Sequence, residues 1–280
     1  MERDVGECQA NPAYMQVHCA PSCRTCDLLS IEKRCPFDKN APGVWGPGDL
    51  DMMFERITTD PIYLELYNTT VLSSPAQNGP WLVQLENFLS PEECERLIYH
   101  GHLRGYDTSF AVKRLPDGTV ENIAISGRTS QTAWCEDACL NDPLTNAVVE
   151  RIENLTGIPR NNSEALQLLK YEVNQFYHQH HDYLKHQLDK PQSVRILTVF
   201  LYLNDVEAGG ETRFTFLKKS VAPKRGRVVL WPSVYNDDPF EKDGRTLHES
   251  LDVKAGVKYG ANAWIHQRDY MTPNRKGCTD

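Results

Sequence analysis

Four of the nine histidines lie in the segment YEVNQFYHQHHDYLKHQ, together with one aspartate. These residues are His178, His180, His181, His186 and Asp182. Side chains alternate between the two faces of a strand, so His178, His180 and Asp182 would share one face. His181 would point the other way, and His186 follows a predicted turn. Imidazole and carboxylate groups bind transition metals, and two chelating pairs stay open: His178 with His180, or His180 with Asp182.

A His-x-Asp pair has a specific use in metal chemistry. Two histidines and one carboxylate on one face of an octahedron form the iron site of non-haem Fe(II) oxygenases. Such a site needs a second histidine from a distant strand, and the chain offers His248 and His266 downstream. Lys258 follows His248 by ten residues. A lysine there could hold the far end of a dicarboxylate by a charge-assisted hydrogen bond.

Two helices are predicted ahead of this cluster. In FLSPEECERLIYHG, Ser90 is an N-cap, with Pro91 at the first helical position and Glu93 completing a capping box. We expect this helix to stop at Gly101. A second helix is predicted after Asp142, and its single apolar stripe consists of Val148, Val149, Ile152 and Leu155.

After Pro159 the pattern changes to short strand-like runs, separated by Gly, Pro, Asp or Asn. The runs are ALQLLKYEV, VRILTVFLYLN, ETRFTFL, GRVVLWP and VKYGANAWIHQ. Helices followed by many short strands indicate an α+β domain that ends in a β-sandwich or barrel. This sheet must carry the candidate metal ligands.

The composition narrows the function classes. The chain has 280 residues, 40% of them hydrophobic, and a net charge of −8. This length suits one catalytic domain with a small additional module. Lys and Arg form no runs, which disfavours a nucleic-acid partner. No apolar run could span a bilayer, and MERDVGECQA is no signal peptide, so we expect either a cytosolic protein or a missing upstream signal or anchor.

The nine cysteines bear on the compartment. Four of them lie in CQANPAYMQVHCAPSCRTC, a density typical of a disulfide framework in an oxidising compartment. A zinc knuckle is the alternative, because Cys23 and Cys26 have ligand spacing. Cys135 and Cys139 form either a local disulfide or two free core thiols, and Cys94 is expected to be free. Three sequons agree with a secretory route and begin at Asn68, Asn154 and Asn161.

From about Pro80 to Tyr270, the chain resembles the catalytic domain of prolyl 4-hydroxylases, which are Fe(II)/2-oxoglutarate dioxygenases. The matching elements, in order, are FLSPEECERLI, GRTS, LQLLKYEVNQFYHQHHDY, LTVFLYLNDVEAGGETRF, PKRGRVVLWP and TLHESLDVKAGVKYGANAWI. The resemblance implies an α+β fold with a double-stranded β-helix (jelly-roll) core and flanking N-terminal helices. It also implies hydroxylation of peptidyl proline to 4-hydroxyproline, with release of succinate and CO₂.

The resemblance assigns roles to individual residues. His180, Asp182 and His248 match the iron ligands, and Lys258 matches the lysine that pairs with the C5 carboxylate of 2-oxoglutarate. The implied cofactors are Fe(II), 2-oxoglutarate, O₂ and ascorbate. The implied partner is a proline-containing peptide in an extended or polyproline II conformation.

Other matched positions concern the cosubstrate and the peptide. Tyr171 and Thr198 match residues that help to hold 2-oxoglutarate, although both types also favour strands. Trp264 has a core aromatic as its alternative role, and we expect His266 to lie at the surface. The positions that line the peptide groove or close over it are matched by Tyr177, Arg195, Trp264, Arg128 and Ser130.

Three departures from the family pattern bear on substrate choice and leave the metal chemistry intact. The family usually has Gly where Asn174 stands, and Lys where Phe176 stands. The stretch WPSVYNDDPFEKDGRTLHES replaces a more usual run before the distal histidine.

The N-terminal stretch GECQANPAYMQVHCAPSCRTC is similar to the second half of a ShK-toxin-like (ShKT) domain. That resemblance implies a Cys8–Cys23 pair and upstream partners for Cys19 and Cys26. We therefore expect four regions: a partial ShKT-like module at 1–27, a linker or N-terminal extension at 28–78, the dioxygenase domain at 79–272 and a tail at 273–280.

The expected location is the secretory pathway, in the lumen of the endoplasmic reticulum or Golgi. The sequence leaves the oligomeric state and the target protein open. One alternative function is a 2-oxoglutarate hydroxylase of another residue or a small molecule. Another is a non-catalytic ShKT/jelly-roll binding protein. A zinc hydrolase would need a general-base motif such as H-E-x-x-H, which the sequence lacks.

Overall fold

A computed structural model describes residues 6–10, 12–114, 120–124 and 127–279 of the chain. The α-helices are α1 (Glu7–Ala10), α2 (Pro12–His18), α3 (Ala20–Cys23), α4 (Ile31–Arg34), α5 (Asp49–Thr59), α6 (Pro61–Tyr67), α7 (Pro91–Arg104), α8 (Pro143–Thr156) and α9 (Met271–Asn274). Short 3₁₀ helices cover Cys26–Leu29, Pro75–Gln77, Arg160–Asn162, Lys185–Asp189 and Gly244–Thr246.

Most strands follow α8 in the chain. They are β1 (Thr70–Ser73), β2 (Leu82–Leu85), β3 (Asp107–Thr108), β4 (Phe110–Arg114), β5 (Val120–Ala124), β6 (Gln131–Trp134), β7 (Gln167–Tyr171), β8 (Tyr177–His180), β9 (Arg195–Tyr202), β10 (Ala208–Gly209), β11 (Thr212–Phe214), β12 (Lys219–Val221), β13 (Val228–Pro232), β14 (His248–Ser250), β15 (Val253–Ala255) and β16 (Lys258–His266). The predicted strand-like runs therefore contain β7, β9, β11, β13 and β16.

Within the described residues, the strands form one large and one small antiparallel sheet. The large sheet has the order β1-β2-β13-β9-β16-β7-β6-β3, and the small sheet has the order β12-β11-β14-β8. Two further pairs are β10 with β15 and β4 with β5. The sheets stay open at their edges and form no closed barrel in the part of the chain that is described. This architecture confirms the predicted α+β class.

The large sheet is buried on both faces. Along β9, Val199 and Leu201 pack into a cluster with the helices. The alternate residues Phe200 and Tyr202 pack into a second cluster, which includes Phe214 from the small sheet. The apolar run of β9 is continuous because each face of this strand meets a different layer.

The capping signals of α7 and α8 are confirmed, but the predicted end of α7 is wrong. Ser90 and Glu93 form the capping box, and Asp142 caps α8. Helix α7 continues past Gly101 to Arg104. Gly101 is needed for packing, since a side chain there would collide with the ring of Tyr106.

The segment before β2 folds onto the domain. Helix α5 buries Leu50, Met53, Phe54 and Ile57, which join the cluster between the helices and the large sheet. A disulfide joins Cys35 to Cys278 across the two ends of the chain. The boundaries of the four regions stay a prediction.

The remaining cysteines divide into paired and free. Disulfides join Cys8 to Cys23 and Cys135 to Cys139. The Cys8–Cys23 pair removes Cys23 as a zinc ligand, so the zinc-knuckle alternative is wrong. The free cysteines among the described residues are Cys19, Cys26 and Cys94. Residues 1–5 and 11 of the predicted ShKT-like module lie outside the described part of the chain. In that part, no helix combines the length and the apolar character that crossing a bilayer requires.

Candidate active site

The residues of the candidate metal cluster come from two neighbouring strands. His180 ends β8 and faces His248, the first residue of β14, in the antiparallel register of the small sheet. Asp182 lies beyond β8, because this strand ends at His180 and does not continue through the aspartate as predicted. The carboxylate turns instead toward β9, where Thr198 Oγ1 donates a 2.7 Å hydrogen bond to Asp182 Oδ2.

The three side chains converge on one point. His248 Nε2 lies 3.6 Å from Asp182 Oδ2, and His180 Nε2 lies 4.0 Å from Asp182 Oδ1. One nitrogen or oxygen from each residue lies within 4.8 Å of the others, and no other such group of three occurs among the described residues. The spacing is that of ligands around a single metal ion.

Backbone carbonyls fix the orientation of both imidazoles. His180 Nδ1 lies 2.8 Å from the carbonyl of His178, and His248 Nδ1 lies 3.0 Å from the carbonyl of Thr246. A carbonyl only accepts, so each Nδ1 carries the proton and donates. Each Nε2 therefore presents a lone pair to the cluster, which is the arrangement of metal-binding histidines.

Burial and neighbouring charges shift the pKa values of His180 and Asp182 toward the protonation states that bind metal ions. Burial, reinforced by the adjacent His248, lowers the pKa of His180 to about 3, so its imidazole is neutral at physiological pH. Burial alone would raise the pKa of Asp182, but His248, His180 and the Thr198 hydroxyl together lower it. Asp182 is therefore an ionised carboxylate beside the neutral imidazole of His180.

The other histidines of the crowded segment lie outside the cluster. His178 and His186 are exposed. His181 Nε2 lies 2.8 Å from the carbonyl of Asp243, and its Nδ1 accepts from the backbone N–H of Tyr183. The structure thus brings together His180 and Asp182, one of the two pairs that spacing left open.

Lys258 lines the same cavity as His180 and His248. Its side chain is 0% exposed, and Nζ donates a 2.9 Å hydrogen bond to Ser250 Oγ. No carboxylate of the described residues lies within 4.0 Å of this nitrogen. Burial lowers the pKa of Lys258 to about 7, and the more distant Glu211 offsets only part of this shift. A buried ammonium with a single hydroxyl partner calls for an anionic ligand.

Tyr171 lines this cavity, and Thr198 contacts the carboxylate of the metal cluster. Tyr171 is paired with Lys258 in the sheet, and Nζ lies 5.0 Å from the centre of its ring. Burial raises the pKa of Tyr171, so the phenol is protonated and can donate. Thr198 is already committed to Asp182, and the structure gives it a role in orienting that carboxylate.

Two predicted groove residues lie next to the metal cluster. The ring of Tyr177 stacks on that of His180, with 3.5 Å between centroids. The guanidinium of Arg128 also lies over the Tyr177 ring, 4.6 Å from its centre. Ser130 differs from its prediction as a peptide contact, because it is fully buried and accepts from Arg128 Nε at 2.7 Å. Ser130 therefore helps to hold the Arg128 side chain in position through this hydrogen bond.

A second pair of predicted groove residues, Arg195 and Trp264, includes a donor that has no partner among the described residues. Arg195 stacks on Trp264, with 3.7 Å from the guanidinium carbon to the ring centre. Trp264 Nε1 is buried and has no hydrogen-bond partner. A buried indole N–H without an acceptor is an unsatisfied donor of a kind that native structures rarely keep.

Sequence reasoning missed the support beneath Arg195. Glu164 Oε1 accepts from Arg195 Nε at 2.6 Å and from His266 Nε2 at 2.8 Å. The prediction that His266 lies at the surface is wrong: it is 0% exposed, and its Nδ1 donates to the carbonyl of Ser193. Burial alone would raise the pKa of Glu164, but Arg195 and His266 hold it at about 2. The only indication of this arrangement in the sequence was that His266 follows Trp264 by two residues in the same strand-like run.

The donor sets fit a non-haem iron and a dicarboxylate. Two imidazole nitrogens and one carboxylate suit Fe(II), and they come from one side of the cavity. Lys258 suits the remote carboxylate of 2-oxoglutarate. Apolar side chains, among them Phe200 and Trp231, separate the two ends. The residues present therefore fit both groups.

Comparison with known proteins agrees with this geometry. The sequence profile of the 2OG-Fe(II) oxygenase superfamily matches residues 166–266, which include the metal cluster and Lys258. The chain is 31% identical over 201 residues to prolyl 4-hydroxylase subunit alpha-2 of Gallus gallus, covering 70% of this chain and 36% of that protein. It is 31% identical over 210 residues to prolyl 4-hydroxylase 1 of Arabidopsis thaliana, covering 68% of this chain and 70% of that protein.

The fold is also similar to that of a solved prolyl hydroxylase structure. The 2-oxoglutarate complex of the viral collagen prolyl hydroxylase from Paramecium bursaria chlorella virus-1 superimposes with a TM-score of 0.54 at 26% identity. The match covers 68% of this chain and 97% of that one. The large and small sheets of the present chain thus follow the jelly-roll architecture of 2-oxoglutarate oxygenases.

Proposed function

This chain belongs to the prolyl 4-hydroxylase family, and we propose that it hydroxylates peptidyl proline to 4-hydroxyproline, using Fe(II), O₂ and 2-oxoglutarate and releasing succinate and CO₂. One observation carries the proposal. A cluster of two imidazoles and one carboxylate adjoins a cavity with a buried lysine, whose ammonium group hydrogen-bonds to the Ser250 hydroxyl and has no carboxylate partner among the described residues. Few reactions other than 2-oxoglutarate-dependent oxidation need both.

Each residue of the cavity has a part in the mechanism. His180, Asp182 and His248 would hold Fe(II), with Thr198 keeping the carboxylate in place. Lys258 would hold the C5 carboxylate of 2-oxoglutarate. When bound, iron and cosubstrate supply the oxidising chemistry that breaks the proline C–H bond. The protein supplies position and excludes water, which is the task of the apolar cavity walls.

The peptide would lie across the metal cluster. The partly exposed ring of Tyr177 would present aromatic surface, which suits an extended or polyproline II segment, and the buried Trp264 would support the guanidinium of Arg195 stacked on it. The guanidinium of Arg195 would offer donors for peptide carbonyls. Arg128 would contribute beside Tyr177, whose ring its guanidinium covers.

We also propose a reductant, a cellular location, an N-terminal module and glycosylation sites, which the family comparison does not test. Ascorbate would restore iron oxidised in turnovers without peptide. A luminal, secretory location and a partial ShKT-like module at 1–27 are supported by the disulfides Cys8–Cys23, Cys35–Cys278 and Cys135–Cys139. Glycosylation at exposed Asn68, Asn154 or Asn161 would follow from that route.

Mass spectrometry of proline-rich peptides tests the activity. The protein is incubated with peptide, Fe(II), 2-oxoglutarate and ascorbate, and we expect a mass gain of one oxygen on proline. Asp182→Ala should lower the rate by at least about a thousandfold, because the cluster loses its only anionic ligand. Oxygen added to another residue would support the alternative hydroxylase, and unchanged activity in Asp182→Ala would contradict the proposed iron site.

A further inference from the structure

A hairpin of the chain leads into the distal histidine of the metal cluster. Residues 233–235 pair with residues 241–243: Tyr235 N–H donates to Glu241 O at 3.1 Å, and Asp243 N–H donates to Ser233 O at 3.0 Å. We call residues 233–243 the metal hairpin. It belongs to the stretch in which this sequence departs from the usual family run before His248.

The end of the metal hairpin is linked by hydrogen bonds to the residues next to His180 and His248. The carbonyl of Asp243 accepts from His181 Nε2 at 2.8 Å and from Thr246 Oγ1 at 3.1 Å. The carbonyl of Thr246 then accepts from His248 Nδ1 at 3.0 Å. The ring of His248 is therefore held by a backbone group three residues past the hairpin, and His181 connects the hairpin to the end of β8.

The tip of the metal hairpin is fixed by helix α5. Gly48, the residue before this helix, has no side chain to cap it. Asn236 supplies the cap from far along the chain: its carbonyl accepts from Gly48 N–H at 2.9 Å, and its Oδ1 accepts from Asp51 N–H at 3.0 Å. These are two of the N–H groups that every helix leaves unpaired at its N-terminus.

Helix α5 is itself held against the end of the large sheet. Val44 N–H donates to the carbonyl of Gln267 at 2.7 Å. The side-chain amide of Gln267 exchanges hydrogen bonds with the backbone of Trp45, at 2.9 Å in each direction. Its Nε2 also lies 3.4 Å from the carbonyl of Pro239 in the metal hairpin. The Cys35–Cys278 disulfide closes this arrangement at the chain ends.

We propose that Asn236 is a positioning residue for the metal site, and that the segment from Cys35 to α5 braces the metal hairpin so that Thr246 O holds His248 in its ligand orientation. The inference rests on the metal site of the proposed function and names a support for it outside the cavity. Partners that orient a metal-bound histidine typically change metal affinity 10–100-fold. Asn236 acts through the hairpin, Asp243 and Thr246, so we expect a value near the lower end.

Cobalt titration of the metal-free protein tests this proposal without requiring turnover. The affinity for Co(II) is measured from visible absorption for wild type, Asn236→Ala, Asn236→Asp and Asp60→Ala. Asn236→Ala should bind Co(II) about tenfold more weakly. Asn236→Asp keeps an oxygen acceptor for Asp51 N–H and should stay within about twofold of wild type.

Asp60→Ala is the matched control. Asp60 Oδ1 caps α6 by accepting from Ile62 N–H at 2.8 Å, so this variant also loses one side-chain acceptor at a helix N-terminus. It should be less stable by about 1 kcal/mol and bind Co(II) like wild type. If Asn236→Ala does not fold, the double variant Cys35→Ser/Cys278→Ser loosens the same brace and should weaken Co(II) binding in the same direction.

The possible outcomes distinguish the positioning role of Asn236 from the existence of the metal site. Wild-type affinity in Asn236→Ala, or an equal loss in Asp60→Ala, overturns the positioning role and leaves the metal site standing. Wild-type protein that binds no Co(II) overturns the proposed function and this inference together. Selective weakening that Asn236→Asp reverses supports the brace.

Discussion

Glu164 and Lys258 are both buried ionisable side chains close to the cavity, and their surroundings are opposite. Glu164 accepts hydrogen bonds from Arg195 and His266 at 2.6 and 2.8 Å. Lys258 has one hydroxyl at 2.9 Å and aromatic rings around it, with no carboxylate of the described residues within 4.0 Å. The protein itself supplies the cationic and hydrogen-bonding partners of the Glu164 carboxylate. The Lys258 ammonium has no anionic partner among the described residues and would gain one only from a bound ligand.

This difference distinguishes a buried charge that stabilises the fold from a buried charge that is available to a ligand. A buried charge with protein partners costs stability when a partner is removed, because the other is left uncompensated. A buried charge without partners costs stability while it is present, and a protein that retains it has a use for it. On this view Glu164 holds Arg195 and the groove wall, and Lys258 holds the cosubstrate.

The largest effect is expected from Glu164→Ala. Loss of the carboxylate leaves Arg195 and the His266 ring without their shared acceptor, so the free energy of unfolding should fall by about 3 kcal/mol. Urea denaturation measures it. The matched variant is Lys258→Met, which replaces a poorly paired ammonium by an apolar chain of similar length and should be neutral or stabilising. Equal losses in the two variants would remove the distinction between these regions.

Lys258→Met should instead damage cosubstrate binding. The KM for 2-oxoglutarate should rise about 30-fold, which corresponds to the roughly 2 kcal/mol of a hydrogen bond to a charged group. Succinate formation at varied 2-oxoglutarate concentrations measures this change. An unaltered KM would show that the lysine is part of the packing alone.

The smallest effect is a dependence of cosubstrate binding on pH. The pKa of Lys258 is lowered to about 7 by burial, so the free protein loses the ammonium above this pH. Because 2-oxoglutarate binds the protonated form, its affinity should fall as pH rises from about 7, by at most tenfold per pH unit. Lys258→Arg keeps its charge and should remove this slope. A slope that persists in Lys258→Arg would assign the titration to another group.

Much of the site could be predicted from the sequence because its signals are local. The short spacing between His180 and Asp182 indicated a metal site, but it left two chelating pairs and two distal histidines open, and the family resemblance selected His180, Asp182 and His248. Helix capping at Ser90 and Asp142 was equally local, and both caps are present. Gly101 misled the prediction, since glycine signals a helix end but here makes room for Tyr106.

The remaining features depend on contacts between distant parts of the chain. His266 looked like a surface residue because it is polar and ends a strand, whereas Glu164 draws it into the interior. The cap that Asn236 gives to α5 spans 185 residues, and the Cys35–Cys278 disulfide spans 243. No local pattern distinguishes such partners from other asparagines or cysteines.

The central claim is that this cavity couples the oxidation of 2-oxoglutarate to the hydroxylation of proline. Its most direct test is to count succinate and 4-hydroxyproline in one reaction with a proline-rich peptide. The account predicts equal amounts of both products in wild type, and neither in Asp182→Ala. Hydroxyproline formed without 2-oxoglutarate, or products that persist in Asp182→Ala, would contradict it.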